Sequence, residues 1–282
     1  TFSLVGCGRI AKRHSDLLGN NIINNAKLIS VCDKVENKAQ KLSNKFSIPY
    51  FTDMDKMIIE TTPDVIVVLT ESGNHAKNVI DLAKHKKHII VEKPMALKVD
   101  DGKRMIDVCN NNNIKLFVVK QNRFNLPVVK LKEALDNNRF KKITLATVRV
   151  RWCRTQNYYD MDTWRGTWKL DGGVLSNQAS HHIDLLDWLM GGTKSVFGYS
   201  KTSLVNIEVE DTAVVILKFN NGSLGIIEAT TATRPRDLEG SLSVLGEGGS
   251  VVIEGFAVNK IKTWEFTNMQ KSDEEIIEKF SS

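Results

Sequence analysis

Asn177 and His181 stand four residues apart in the run Asp171-Gly-Gly-Val-Leu-Ser-Asn177-Gln-Ala-Ser-His181-His182-Ile-Asp184. An imidazole titrates near neutral pH, which suits His181 to take the proton of a hydroxyl group. An amide one helical turn earlier shares its face, and can bond a substrate or orient the ring without adding charge. Far upstream, Lys93 lies in Glu92-Lys93-Pro94, directly after the apolar run 88–91. That position is the carboxyl edge of a parallel sheet, where such folds bind ligands, and an ammonium there can stabilise a developing alkoxide. Oxidation of a secondary alcohol needs such a base and cation, with a nicotinamide to receive the hydride. Glu92 is expected at the nicotinamide end or as the group that orients Lys93. Asp184 and His182 are candidates for supporting roles, with His182 more readily a packed side chain, because adjacent helical residues point in different directions.

The binding site for that cofactor is expected at the start of the chain. The apolar residues 2–5 lead into Gly6-Cys7-Gly8-Arg9-Ile10-Ala11 and then a helical pattern. In a strand, turn and helix of this kind the first Gly permits the turn and the second lets the backbone approach a pyrophosphate. The third small residue, Ala11, lets the helix lie close to the sheet. Gly6, Gly8, Arg9 and Ile10 are thus candidate pyrophosphate contacts, helped by amides at the helix N-terminus. A second apolar run ends in Asp33, at the offset where a carboxylate accepts from ribose hydroxyls and repels a 2′-phosphate, which favours NAD over NADP. Asp33 could instead cap the helix of residues 36–46, and Lys34 beside it leaves the cofactor choice open.

These groups must be positioned by regular elements, and the pattern supplies two kinds. Through residue 121, apolar runs at 65–69, 88–91 and 115–119 alternate with helical stretches at 74–85 and 98–109, which predicts a doubly wound parallel sheet. Beyond 142 the pattern becomes alternation with hairpin signals at 143–152, 212–219, 223–231, 242–245 and 251–254, with a turn at Asn220-Asn221-Gly222. This predicts an open, mostly antiparallel sheet. The one long helix expected in this half runs from Gly172-Gly173 to about Met190 and ends at Gly191-Gly192. An α/β protein of two domains, 1–121 and 122–282, follows, and the length suffices for two cores.

With 41% hydrophobic and 26% charged residues, the chain reads as an ordinary globular protein. No apolar stretch approaches the roughly 18 residues of a membrane span, and no secretory signal is visible, so a cytoplasmic location without membrane partners is expected. Cys7, Cys32, Cys109 and Cys153 lack metal-ligand spacing, and no metal is expected. The net charge of +6 is spread along the chain rather than gathered in a stripe, which argues against nucleic acid. One local cluster stands out: Arg149, Arg151, Arg154 and Arg165 interleave with Trp152, Tyr158, Tyr159, Trp164 and Trp168. Arginine forks bind phosphate and carboxylate, and aromatic faces stack on sugars and bases, so an anionic nucleotide sugar suits this segment. Aromatic packing, with arginines paired to Asp160 and Asp162, is the competing reading.

The Gly-rich turn, Thr70-Glu71-Ser72-Gly73-Asn74-His75, Glu92-Lys93-Pro94 and the Gly172–His181 region together resemble the Gfo/Idh/MocA family of oxidoreductases over nearly the whole chain. The resemblance implies a Rossmann domain joined to an α/β domain with an open sheet, and NAD as cofactor. Thr70, Ser72 and His75 would lie beside the nicotinamide ribose, and Glu92 and Lys93 near the ring. Gln121 would meet the carboxamide or the substrate, and Trp164-Arg165 would reach toward the cofactor. It also implies a cis bond before Pro94. Within the family, 117–127, 150–154, Tyr158-Tyr159-Asp160, 164–168 and 236–241 resemble bacterial UDP-N-acetylglucosaminuronate 3-dehydrogenases, which act in lipopolysaccharide O-antigen biosynthesis. Asn177 stands where most relatives have Asp, and an Asn-Gln pair is what that subgroup would show. Loss of the negative charge beside His181 should lower its proton affinity. Lys93, Arg149, Arg151, Tyr158, Tyr159, Asn177 and His181 become the candidate substrate contacts, with Lys93, His181 and Asn177 catalytic. A homodimer or tetramer, recycling of NADH by 2-oxoglutarate and a further C-terminal segment are implied as well. Another sugar or polyol dehydrogenase of the family, or a non-catalytic nucleotide sensor, stays open. A simple polyol would not explain four arginines, and a sensor would not need both Lys93 and His181.

Overall fold

The computed structural model describes residues 1–281. The chain divides into two compact units, one of Thr1–Val119 with Lys169–Asp171, the other of Lys120–Trp168 with Gly172 onward. In the first unit, short β-branched runs form six parallel strands: β1 (Phe2–Val5), β2 (Leu28–Cys32), β3 (Tyr50–Phe51), β4 (Val65–Val68), β5 (His88–Val91) and β6 (Leu116–Val118). Their order is β3-β2-β1-β4-β5-β6. Helices α1 (Ala11–Gly19), α2 (Glu36–Phe46), α3 (Met54–Thr61), α4 (His75–Leu82) and α5 (Val99–Asn111) connect them. Leu4, Val31, Ile66, Val67, Val68 and Ile89 are buried because helices cover both faces of a parallel sheet. The chain reverses direction across the sheet between β1 and β4, and the carboxyl ends of these strands carry Gly6 and Thr70. Doubly wound sheets bind ligands at such a switch point.

The second unit holds seven strands: β7 (Ile143–Arg151), β8 (Thr193–Lys201), β9 (Thr212–Phe219), β10 (Leu224–Thr230), β11 (Glu239–Gly246), β12 (Gly249–Glu254) and β13 (Lys260–Phe266). Their order is β13-β12-β11-β7-β10-β9-β8, antiparallel except where β7 runs parallel to β10. Asn221-Gly222 turns β9 into β10, with Gly222 at φ +86°. Alternation decides the faces: Ala213, Val215, Leu217 and Phe219 enter the core while Val214 and Ile216 point outward. One face is covered by α6 (Leu126–Asp136) and α8 (Ser180–Met190), with α7 (Gln156–Asp160) and α9 (Lys271–Phe280) completing the unit. On the other face Phe197, Tyr199, Val214, Ile216, Leu224 and Ile226 remain exposed.

Three points differ from expectation. The helix expected from Gly172 to Met190 is two segments, a π-helix at Val174–Gln178 followed by α8. Ala179 N–H bonds back five residues to Val174 O, so the turn there is wider than α-helical. The helix does end at Gly191, at φ +77°. In the same unit α6 begins with Pro127 in its first turn, where a missing N–H costs nothing. Nor is there one long helix beyond 142, because Lys271–Phe280 forms α9, whose Ile276, Ile277 and Phe280 pack on the core. Finally, β8 and β13 extend the sheet beyond the expected strands.

Candidate active site

In the first unit, Gly6 has φ +99°, and a Cβ there would come within 2.8 Å of the Leu69 backbone, so only glycine fits between β1 and β4. Gly8 differs. Its φ is unexceptional and a Cβ would meet nothing within 4 Å, so no contact among the described residues requires a glycine there. The space over Gly8 suits a group that the backbone must approach closely, as a pyrophosphate requires. Gly8, Arg9 and Ile10 are exposed, and no side chain caps the N-terminus of α1. Asp33 holds the loop from the next strand: one oxygen accepts from Cys7 N–H at 2.7 Å and the other from Val35 N–H at 2.8 Å. Each carboxylate oxygen retains a second lone pair for a ribose hydroxyl. Asp33 does not cap α2, so that competing reading falls away.

The Glu92-Lys93-Pro94 turn is braced from two sides. Glu92 is buried and shares one oxygen with His14 Nε2 at 2.9 Å, the other with Lys93 N–H at 3.0 Å. Burial pushes the Glu92 carboxyl up, but the bonds from His14 and Lys93 outweigh it and hold it below its ordinary value. His14 was not foreseen; it lies 78 residues from Glu92 in sequence, and only the fold of α1 against the sheet joins them. From the other side, His75 Nδ1 faces Pro94 O at 2.7 Å and Nε2 faces Thr70 O at 2.9 Å. His75, expected beside the nicotinamide ribose, is 1% exposed, and its ring props the loops after β4 and β5. Its desolvation lowers the imidazole pKa. Ser72 is likewise buried, while Thr70 accepts from Asn78 at 2.9 Å and Lys93 is half-buried behind a cis bond to Pro94. Lys34 is exposed.

In the second unit, Asn177 belongs to the π-helical turn and His181 to the first turn of α8. They are therefore not the i,i+4 pair of one regular helix that their spacing predicts. Just before this turn only glycine fits at 173, since a Cβ there would collide with the Glu210 carboxylate, which accepts from Leu175 N–H at 3.1 Å. His181 Nε2 lies 3.1 Å from Gln121 Nε2. One turn further along α8, Asp184 takes a two-pronged bond from Arg123, 2.7 Å on each oxygen, with Lys120 Nζ at 3.5 Å. His182 points into the core, 1% exposed, its ring edge-on to Trp152 at 5.7 Å, with neither ring nitrogen hydrogen-bonded among the described residues. Burial drives its pKa down to about 4, so it is a neutral packed residue near pH 7.

The arginine-rich segment is more internally paired than expected. Arg151 forks onto Glu228 at 2.6 and 2.7 Å and reaches Glu239 at 3.0 Å. Arg149, more exposed, lies 3.8 and 3.7 Å from the same two carboxylates. Two cations and two anions thus face each other, because the register sets Arg149 beside Glu228 and Arg151 beside Glu239. Arg154 bonds Asp237 at 3.0 Å. Arg165 bonds Asp162 at 2.9 Å and the Tyr158 hydroxyl at 2.6 Å, with its guanidinium over the Tyr158 and Trp164 rings. Gln178 also donates to Tyr158, at 3.1 Å. Tyr159, an expected substrate contact, is a core residue, 8% exposed, with its hydroxyl 3.0 Å from Thr231.

A phosphate-compatible Gly turn at the switch point of a doubly wound sheet, with an acidic residue after the next strand, defines a dinucleotide-binding protein. Residues 1–120 match the oxidoreductase family with NAD-binding Rossmann fold, and 128–252 match the Gfo/Idh/MocA C-terminal domain. The chain belongs to the Gfo/Idh/MocA family of oxidoreductases. Among solved structures it is similar to the WlbA dehydrogenase of Bordetella pertussis in complex with NADH and UDP-GlcNAcA: 41% identity, TM-score 0.94, covering 98% of this chain and 82% of that one. The WlbA enzyme of Chromobacterium violaceum, solved with the same two molecules, is 42% identical, with TM-score 0.94 and coverage of 99% and 81%. The myo-inositol 2-dehydrogenase of Thermotoga maritima is 29% identical over 80% of this chain. The chain spans 65–66% of the length of the first curated relatives it matches.

Proposed function

We propose that the protein is an NAD-dependent dehydrogenase that oxidises the 3-hydroxyl of UDP-N-acetylglucosaminuronic acid to the 3-keto sugar, in the cytoplasm, for lipopolysaccharide O-antigen assembly. The observation that carries the reading is the 41–42% identity, over nearly all of this chain, to two dehydrogenases solved with NADH and UDP-GlcNAcA. The first unit supplies cofactor contacts: the Gly6–Ile10 turn for the pyrophosphate, Asp33 for the ribose, and Thr70 with Glu92 for the nicotinamide end. The open space over Gly8 fits this assignment. When bound, the nicotinamide supplies the hydride acceptor.

The residues of the chain then divide the remaining work. Lys93 holds its ammonium toward the substrate oxygen and stabilises negative charge developing there. Its direction is set by the Glu92–His14 pair and by His75. His181 accepts the hydroxyl proton, and Asn177 hydrogen-bonds the substrate without placing a charge beside the imidazole. Tyr158, with two donors already on its oxygen, keeps its own proton to donate. Arg149 is the arginine of this cluster best suited to an anionic sugar, since Arg151 is engaged by two carboxylates. The exposed apolar face of β8, β9 and β10 is the surface for a second copy in a dimer or tetramer.

The test follows nicotinamide absorbance with UDP-N-acetylglucosaminuronic acid, myo-inositol and glucose in parallel, with and without 2-oxoglutarate. Reduction with the UDP-uronate alone supports the proposal. Reduction with myo-inositol alone transfers the assignment to a polyol dehydrogenase, and no reduction of bound NAD by any of the three overturns catalysis on this class. Turnover that requires 2-oxoglutarate shows that the NADH is recycled in place.

A further inference from the structure

The turn at Gln121–Phe124 and the first turn of α8 are joined at two levels. Arg123 grips Asp184 with both prongs, and two residues earlier Gln121 brings its amide nitrogen to 3.1 Å from His181 Nε2. Asp184 follows His181 by three residues, so the two lie one turn apart on the same helix face. The fork therefore sets the register of the turn against the helix and leaves Gln121 level with His181. Arg123 also lies over the Trp188 ring, 5.0 Å from its centroid, which fixes the arginine on the same helix. Gln121 itself is exposed and carries no packing load.

An amide nitrogen can only donate. With the amide nitrogen pointed at Nε2, that ring nitrogen accepts, and the proton of a neutral His181 resides on the buried Nδ1. We propose that Gln121 is a positioning residue that holds His181 in the Nδ1–H tautomer and stands in for the substrate hydroxyl until substrate arrives. Only this tautomer has the Nε2 lone pair needed to act as a base. When substrate replaces the Gln121 donor, its O–H bond breaks, the proton bonds to Nε2, and the electron pair stays on oxygen. The ring then carries protons on both nitrogens, and Gln121 turns its amide oxygen toward the new N–H. This inference rests on the reading of His181 as the base; it assigns to Gln121 a role other than gripping the nicotinamide carboxamide.

The test is nitrogen NMR of the folded protein with ¹⁵N-labelled imidazoles, above the titration of His181, with its signals assigned by their loss in His181→Gln. The wild type should show Nδ1 protonated and Nε2 bare. Gln121→Leu should give a mixture of tautomers, and Gln121→Glu, whose carboxylate accepts, should move the proton to Nε2. In turnover, Gln121→Leu should lower kcat by about tenfold to a hundredfold with KM for substrate and NAD little changed. A wild-type spectrum with Nε2 protonated overturns the proposal, as does an unchanged tautomer in Gln121→Leu. A Gln121→Leu variant that raises KM for NAD at unchanged kcat also overturns it and assigns Gln121 to the carboxamide. The spectra need no substrate, so a wrong substrate assignment would silence the turnover arm and leave the tautomer result standing.

Discussion

Stability of the second unit should fall between pH 7 and pH 5 because of one residue, His182. Its imidazole is 1% exposed, its ring nitrogens bond to no group among the described residues, and burial lowers its pKa from 6.5 to about 4. The unfolded chain therefore binds a proton that the folded chain refuses. Above the unfolded value of 6.5 the penalty is absent; it grows as pH falls and levels off below about 4. The full span of about 2.5 units corresponds to about 3.4 kcal/mol, of which about 2 kcal/mol is lost between pH 7 and pH 5. His182→Phe keeps a ring edge-on to Trp152 and removes the titration. Urea unfolding followed by tryptophan fluorescence reads this unit, since all five tryptophans lie in it. Wild type should lose about 2 kcal/mol more than His182→Phe from pH 7 to pH 5, with m-values unchanged. Equal losses in the two proteins would refute the reasoning and mean that the ring has a partner for its charged form. His75 is depressed in the same direction but sits in the first unit, so it acts alike in both proteins.

The two loop glycines should behave oppositely. Gly6→Ala forces a Cβ against the Leu69 backbone at φ +99° and should destabilise by about 1–3 kcal/mol in thermal or urea unfolding. Gly8→Ala meets nothing within 4 Å among the described residues, so the melting temperature of the free protein should hold while the NAD Kd rises about tenfold or more by calorimetry. Asp273 anchors α9 through Arg139 at 2.6 and 2.7 Å, Trp264 Nε1 at 2.7 Å and Gln270 N–H at 2.7 Å. Burial raises its pKa, and these donors more than offset that and bring it to about 2. Its stabilisation is present above its ordinary value of 3.8 and disappears as pH falls toward 2. Asp273→Asn should cost about 3 kcal/mol or more at pH 7, read by denaturation, by leaving Arg139 without its buried anion.

Residues close in sequence determined much of this protein without help. The Gly6-x-Gly8 turn, Asp33 after the second strand, the Glu92-Lys93-Pro94 tripeptide and the alternation of β9 and β10 are local patterns, and each announces its element because strand, turn and helix periods are set by neighbouring residues. The family follows from the same motifs. Contacts that depend on chain separation were decided only by the folded structure. His14 meets Glu92 across 78 residues and Gln121 meets His181 across 60, and no spacing rule reaches so far. In sequence the arginines at 149 and 151 were candidates for an anionic substrate or for pairing with Asp160 and Asp162, and they became half of a neutral cluster once sheet register brought Glu228 and Glu239 beside them. Even four residues sufficed to mislead at Asn177 and His181, because the π-turn at Val174–Gln178 changes the helical period where a local reading assumes it constant. Side-chain type and local period are properties of the chain. Burial, pairing and the identity of the partner are properties of the packing, and these decide which charged groups remain to do chemistry.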